Sequence, residues 1–397
     1  MSAFANRQFS LFFAGVFFSV QAIWMQRMAL GWLAWDETGS TAFVGLAAGL
    51  GLLPALVAGP FFGVMADRID IRRAAQVISV LMALALLALV LALPVLSPTA
   101  ILLAALVIGV INAAHQPVRM SLGPRLVPHD LVASLVTATA INFNLARILA
   151  PAITAAVIAG FGVAPALWLA IACHLPMFAV LLRLRARPLP DRTPQTLWSD
   201  LVEGLRYALA TPSVRMALAL TLVFATLARG ALEILPALAD GVYGRGAAGL
   251  GALTAAAGIG ALASAFLRGA RARNIDGTVP RSVYIASALS LLGLIGMGLA
   301  PSFEMAFAAT VLTGGGATWC GVTLQATIQT GLPDALRGRV MSLWTTLGFG
   351  MVAVGAFAIG GLGQQIGLPT GLILAGAVGL VGQALIMRWL APKSSAA

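Results

Sequence analysis

This sequence predicts an all-α membrane protein: twelve transmembrane helices in two pseudo-symmetric six-helix bundles. Three observations lead there. Hydrophobic residues make up 60% of the 397 residues and charged residues 9%, against about 25% charged in a soluble domain. Twelve apolar runs come close to or exceed the ~20 residues that cross a bilayer as a helix. One long polar stretch, 184–212, divides the chain near its middle.

The runs cover 9–35, 41–66, 74–96, 99–122, 131–160, 165–183, 214–239, 247–267, 282–300, 303–330, 338–361 and 367–388. They are continuous, whereas barrel strands alternate polar and apolar over about ten residues. Helices satisfy their own backbone in lipid, so helices are expected. The first run is too long for a secretory signal and lacks a small-residue cleavage site, so no cleaved leader is expected. Cys173 and Cys320 fall inside runs and read as buried apolar fillers.

With the N-terminus in the cytoplasm, the inner loops carry Arg68, Arg72, Arg73, Arg125, Arg183, Arg185, Arg187, Arg192, Arg206, Arg268, Arg271, Arg273, Arg281, Arg337 and Arg339. The outer loops carry only Arg245. This obeys the positive-inside rule and accounts for the net charge of +11. Anionic headgroups are the partner such charge needs. No basic soluble domain exists to bind nucleic acid. The expected location is a bacterial inner membrane, with both termini cytoplasmic.

The expected units are 1–183, a cytoplasmic linker 184–212, and 213–397. In the linker, Leu197, Leu201, Leu205 and Leu209 recur every four residues and form a stripe with Trp198 and Val202. Such a helix lies in the membrane surface or packs beneath the bundle. The halves repeat weakly at an offset of 205 residues. Leu126-Val-Pro128-His-Asp-Leu131 aligns with Gly331-Leu-Pro333-Asp-Ala-Leu336, each with proline at a helix start. Parallel duplication of six helices is a transporter plan. Gly45-x-x-x-Gly49, Gly59-x-x-x-Gly63 and Gly367-x-x-x-Gly371 permit close helix contact. Gly314-Gly315-Gly316 is expected to be a soft point.

Between the second and third runs stands Gly63-x-x-x-Asp67-Arg68-x-x-x-Arg72-Arg73. This resembles the signature loop of the major facilitator superfamily position by position, with Asp70 where that family usually has Gly. Leu332-Pro-Asp-Ala-Leu-Arg337-Gly-Arg339-Val-Met-Ser-Leu343, Phe143-Asn144-Leu-Ala-Arg147-Ile-Leu-Ala-Pro151 and Glu203-Gly-Leu-Arg206-Tyr207 are similar to a bacterial exporter branch that includes enterobactin-exporter-like proteins. The resemblance implies a cytoplasmic latch of Gly63, Asp67, Arg68, Arg72, Arg73, Arg337 and Arg339. Asp67 would dock at the helix start near Asp334, where a carboxylate meets the helix dipole. Arg68, Arg72 and Arg73 would hold neighbouring carboxylates and headgroups. Exporters of that superfamily often carry Gly-Pro in helix 5, associated with antiport; here the pair is Ala150-Pro151.

Charges inside spans are costly and mark cavities or partners. Arg27, Arg147 and Arg229 qualify, and the resemblance implies that helices 1 and 7 face each other across a cavity. Glu233 lies one turn past Arg229, which allows an i,i+4 pair. Arg147 is assigned to the cavity too, with capping of carbonyls freed by Pro151 as its competing role. Trp24, Gln21, Asn112, Asn142, Trp319 and Gln325 complete the expected lining, with Gln26, Thr345 and Thr346. Arginine with aromatic rings suits a bulky anion. Glu233 is the candidate for proton coupling. Asp36, Glu37, Asp240 and Glu304, at outer helix ends, read as solvated. His115 reads as a hydrogen-bonded packing residue.

The leading expectation is a secondary active transporter exporting a small amphipathic or anionic compound, coupled to protons and acting as a monomer. A lipid or lysolipid translocator of the same fold is the alternative, and a transport-inactive sensor or scaffold lies in another class. An enzyme is not expected: no nucleophile–base–acid cluster exists, and the three histidines lack metal-binding spacing. No cofactor and no metal are expected.

Overall fold

The computed structural model describes residues 3–66, 69–183, 197–270, 278–330 and 332–390. Asp67 and Arg68 of the signature loop fall outside them, as do the side chains of Asp334 and Arg337. Thirteen helices follow one another: α1 (Arg7–Thr38), α2 (Thr41–Ala66), α3 (Ile71–Ala92), α4 (Pro98–Leu126), α5 (Val132–Phe161), α6 (Val163–Arg183), α7 (Leu197–Ala210), α8 (Pro212–Phe224), α9 (Gly246–Ala270), α10 (Arg281–Leu299), α11 (Phe303–Thr330), α12 (Asp334–Ile366) and α13 (Leu368–Leu390). Twelve are long and apolar enough to span a membrane. Among the described residues, α7 is the one of these helices that is not a span.

Local chemistry sets the ends. Asn6 accepts from the Gln8 and Phe9 amides to start α1, and Gly39 ends it in the left-handed region at φ 57°. Asp70, the departure from the family pattern, starts α3 by accepting from the Arg72 and Arg73 amides. Ser97 does the same for α4.

α1 packs on α5 and α6, α3 on α4 and α6, and α2 on α4; α11 packs on α9 and α10, and α13 on α10. Two long seams cross between early and late helices, α2 with α12 and α5 with α9. On the first seam Gly45 meets the Ala356 carbonyl and the Gly360 Cα, leaving no room for a Cβ. Each of the three glycines of α11 is a close packing point. Gly314 meets the Ala257 backbone, Gly315 faces Gly260 and Gly316 meets the Ala286 carbonyl, all within an unbroken helix.

The seventh span departs from a regular helix. α8 continues as a π turn over Ala225–Arg229, a 3₁₀ turn over Leu232–Ile234 and a second π stretch over Ala237–Val242. Pro236 has no N–H for the Leu232 carbonyl, which accounts for part of the disruption.

In α7, Val202, Leu205 and Leu209 are exposed. Gly204 faces Arg339, and Ala208 is fully buried. The outer leucines thus point away from the bundle and the small residues pack on it.

Candidate functional site: an arginine-lined cavity

A cavity of 770 Å³ lies among α1, α2, α4, α5, the seventh span, α9 and α12. At one end Arg27 closes on Glu233. Arg27 Nε donates to Glu233 Oε2 at 3.0 Å, and Nη2 donates to Oε1. Beyond this pair, Trp35 Nε1 donates to Asp240 Oδ2 at 2.9 Å, Thr41 Oγ1 to the Gly360 carbonyl at 2.9 Å and Ser40 Oγ to Gln364 Oε1 at 3.0 Å. Every one of these contacts joins the first span, the second span or the turn between them to the seventh or eleventh span. Asp240 is therefore not merely solvated: it also accepts from the Gly246 amide at 3.0 Å. At its other end the cavity reaches Met120, 66% exposed, and Arg339. These lie near the chain ends of α4 and α12 on the face that carries both termini.

The expected pairing of Arg229 with Glu233 does not occur. The π turn ending at Arg229 and the 3₁₀ turn holding Glu233 remove the regular register that i,i+4 contact needs. Glu233 turns to Arg27 instead, and the Arg229 guanidinium stands 5.7 Å from the Phe349 ring centre. Nor does Arg147 bond to carbonyls near Pro151 among the described residues. Its guanidinium lies 5.8 Å from the Trp24 ring centre, with Arg27 at 5.5 Å from the same ring. Phe143 packs edge-on to Trp24 at 5.7 Å. Arg147 sits within electrostatic reach of Arg229 and Arg27, with Glu233 the carboxylate among them.

Trp24, Arg27, Asn112, Arg147, Arg229 and Glu233 thus line the cavity, with Gln26, Thr345 and Thr346. Four other expected lining residues do not. Gln21 is buried, six residues from Arg27 and so about 120° around α1. Asn142 donates to the Val16 carbonyl at 3.3 Å, joining α5 to α1. Trp319 packs against the core built on Phe224 and Leu324. Gln325 lies outside the lining.

Arg119 lines the cavity and was not singled out by sequence, because it lies near the end of an apolar run where charges usually reach the headgroups. Its Nη2 donates to Gln116 Oε1 at 3.0 Å, while Nε and Nη1 are buried with no acceptor among the described residues. The signal was there: the fourth run, 99–122, contains it. His115 Nε2 meets Ser19 Oγ at 3.3 Å, and His174 Nε2 meets Gln26 Oε1 at 3.4 Å.

On the terminus-bearing face, Gly63 lies in the last turns of α2. Arg72 donates through Nε to the Leu181 carbonyl at 2.6 Å and through Nη2 to Leu182 at 3.3 Å, covering the end of α6. Arg73 pairs with Asp70 at 3.3 Å, both well exposed. Arg339 pairs with Glu203 of α7. No cluster of His, Cys, Asp or Glu suited to a metal occurs among the described residues.

The fold is that of a multi-pass membrane protein of major facilitator architecture. The family described as "transmembrane secretion effector" matches residues 1–397, and the chain belongs to it. The family is one of transporters, not enzymes. The chain is 29% identical over 244 residues to enterobactin exporter EntS of Escherichia coli O127:H6 (strain E2348/69 / EPEC). That match covers 61% of this chain and 58% of the exporter, so the chain spans little more than half the length of the curated relatives it matches. Among solved structures, nucleoside transporter NupG superposes with TM-score 0.73 at 14% identity, covering 98% of this chain and 100% of that one. A POT family transporter in complex with thioalcohol conjugated peptide gives 0.75 at 14%, covering 97% of each. A bacterial homolog to human lysosomal transporter Spinster, inward-facing and occupied, gives 0.70 at 15%, covering 96% and 97%. At such identities the likeness shows the fold alone.

Proposed function

We propose that the chain is a secondary transporter that exports a small amphipathic anion by alternating access, with protons as the coupling ion. One observation carries this reading: Arg147 and Arg229 face a 770 Å³ cavity without an ion-pair partner of their own among the described residues. Unpaired cations at membrane depth attract anions, and Trp24 and Phe349 add flat surfaces for a ring-bearing body. Membership of a secretion effector family and likeness to an enterobactin exporter support export. The arginine-rich face that bears the termini is placed in the cytoplasm by the positive-inside rule. The cavity is then open inward and sealed outward by Arg27–Glu233 and the contacts beyond it.

Glu233 couples the proton in this scheme. Protonated, it loses the charge that holds Arg27, so proton binding and outer closure oppose each other. The six-helix units 1–183 and 213–397, joined by the linker, are the bodies that rock. Asp67 docking near Asp334 would latch the inner face when the outer face opens. A lysolipid cargo is the second reading. It is favoured by the aliphatic walls of the cavity, among them Val20, Ile23, Ile108 and Leu250.

The test is flux in proteoliposomes with three probes: enterobactin, lysophosphatidylethanolamine and the lipophilic cation tetraphenylphosphonium. Faster enterobactin movement under an imposed pH gradient is the expected result. Selective movement of tetraphenylphosphonium removes the anion preference, and flux indifferent to the gradient removes proton coupling. Movement of the lysolipid alone favours the second reading.

A further inference from the structure

We infer that the cavity contains two anion stations, and that its cargo is elongated with an anionic group at each end. This rests on the anionic-cargo reading above. The first station is formed by Arg147, beside Trp24, and Arg229, beside Phe349, which both stand unpaired among the described residues. The second is Arg119 on α4, on the same cavity but nearer the terminus-bearing face.

Arg119 meets an anion through a turn of its side chain, which brings two buried, unmatched donors into the cavity that the residue lines. Gln116 Oε1 takes one of its donors at 3.0 Å. The Nε and Nη1 donors are shut off from solvent and unmatched among the described residues. A guanidinium presents five N–H donors in a planar fork suited to two oxygens of a carboxylate or phosphate. Unmatched donors on a buried charge are costly. His115, one turn earlier, lines the same wall and adds a ring nitrogen, with Ser19 Oγ beside it. Among the described residues Glu233 is the lone carboxylate of the lining, and Arg27 already holds it.

Helix geometry separates the stations. Arg119 lies seven residues before the end of α4, and Arg147 lies fifteen after the start of α5. Both helix ends lie on the terminus-bearing face. At 1.5 Å per residue the two arginines stand roughly 10 and 22 Å from that face, about 12 Å apart along the bundle. A small anion reaches one station; a longer molecule with two anionic ends reaches both.

The test is isothermal titration of the full chain in lipid nanodiscs. The ligands are α,ω-dicarboxylic acids, stepped from succinic to hexadecanedioic acid, and monocarboxylic acids of matched length, with empty nanodiscs subtracted. The inference expects a diacid advantage that appears only at longer spacers and reaches about tenfold, as one added charge-assisted contact allows. Arg119→Gln should erase that advantage, so that each diacid binds no more tightly than the monoacid of matched length. Monoacid binding with no diacid advantage at any length overturns the two stations and leaves the anionic reading standing. Failure of both acid classes to bind overturns both. The wild-type spacer series decides the matter even if Arg119→Gln does not fold.

Discussion

Glu233 receives two hydrogen bonds from Arg27, a residue 206 positions earlier in the chain. The pair is partly buried, with side-chain exposures of 31% and 16%. It joins the first span to the disrupted seventh span at the closed end of the cavity. Both groups line the cavity.

Removing the charge at Glu233 should loosen that closed end. Charge-assisted hydrogen bonds contribute about 1.5–3 kcal/mol, so Glu233→Gln is expected to shift the open–closed balance roughly tenfold or more. Spin labels at Ser40 and Gln364, bonded neighbours at 3.0 Å in the closed form, report the shift as a second, longer distance. An unchanged distance distribution rules this role out. A double-mutant cycle with Arg27→Gln separates the pair from effects on either residue alone.

Gly45 should tolerate no side chain. A Cβ there meets the Ala356 carbonyl and sits 3.2 Å from the Gly360 Cα. Gly45→Val is expected to cost about 1–3 kcal/mol through overpacking, read as a lower unfolding temperature. Gly361, with nothing within 4 Å of a built Cβ, serves as the control, and Gly361→Ala should change little. Equal stability of the two variants contradicts the tight α2–α12 seam.

Arg147→Gln and Arg229→Gln should each weaken binding of an anionic amphiphile about tenfold, the value of one charge-assisted contact. Neither should weaken binding of tetraphenylphosphonium. Tryptophan fluorescence measures the Arg147 effect directly, since Trp24 lies against that guanidinium. Parallel losses for anion and cation mean that the residues only support the fold.

Asp70→Ala should destabilise the start of α3 by about 1 kcal/mol, the usual cost of losing a side-chain cap. Asp70→Asn keeps the acceptor and should restore most of it. The Arg73 pair, with exposures of 84% and 53%, contributes little. If Asp70→Asn is as unstable as Asp70→Ala, charge rather than capping is the cause.

The twelve spans were legible because each is a continuous apolar run, and burial in lipid demands helix for such a run whatever its neighbours. The proline signal at Pro333 placed one end well, since that residue stands immediately before α12. Of the cavity, Arg27, Arg147 and Arg229 were legible because charge inside a span is rare. Gln21 and Asn142 were misplaced because polarity alone does not say which side of a helix faces the lumen. Arg119 was passed over because only the fold shows that α4 carries it beside the cavity rather than into the headgroups.

Hydropathy and charge by themselves determined that this chain is a bundle of twelve membrane helices, since both act locally on each segment. Only tertiary structure decided who meets whom. Glu233 is four residues from Arg229 and hundreds from Arg27, yet π and 3₁₀ turns in the seventh span direct it to the distant partner. Helix periodicity predicts neighbours only while the helix stays regular, and in this span Pro236 accounts for only part of the break.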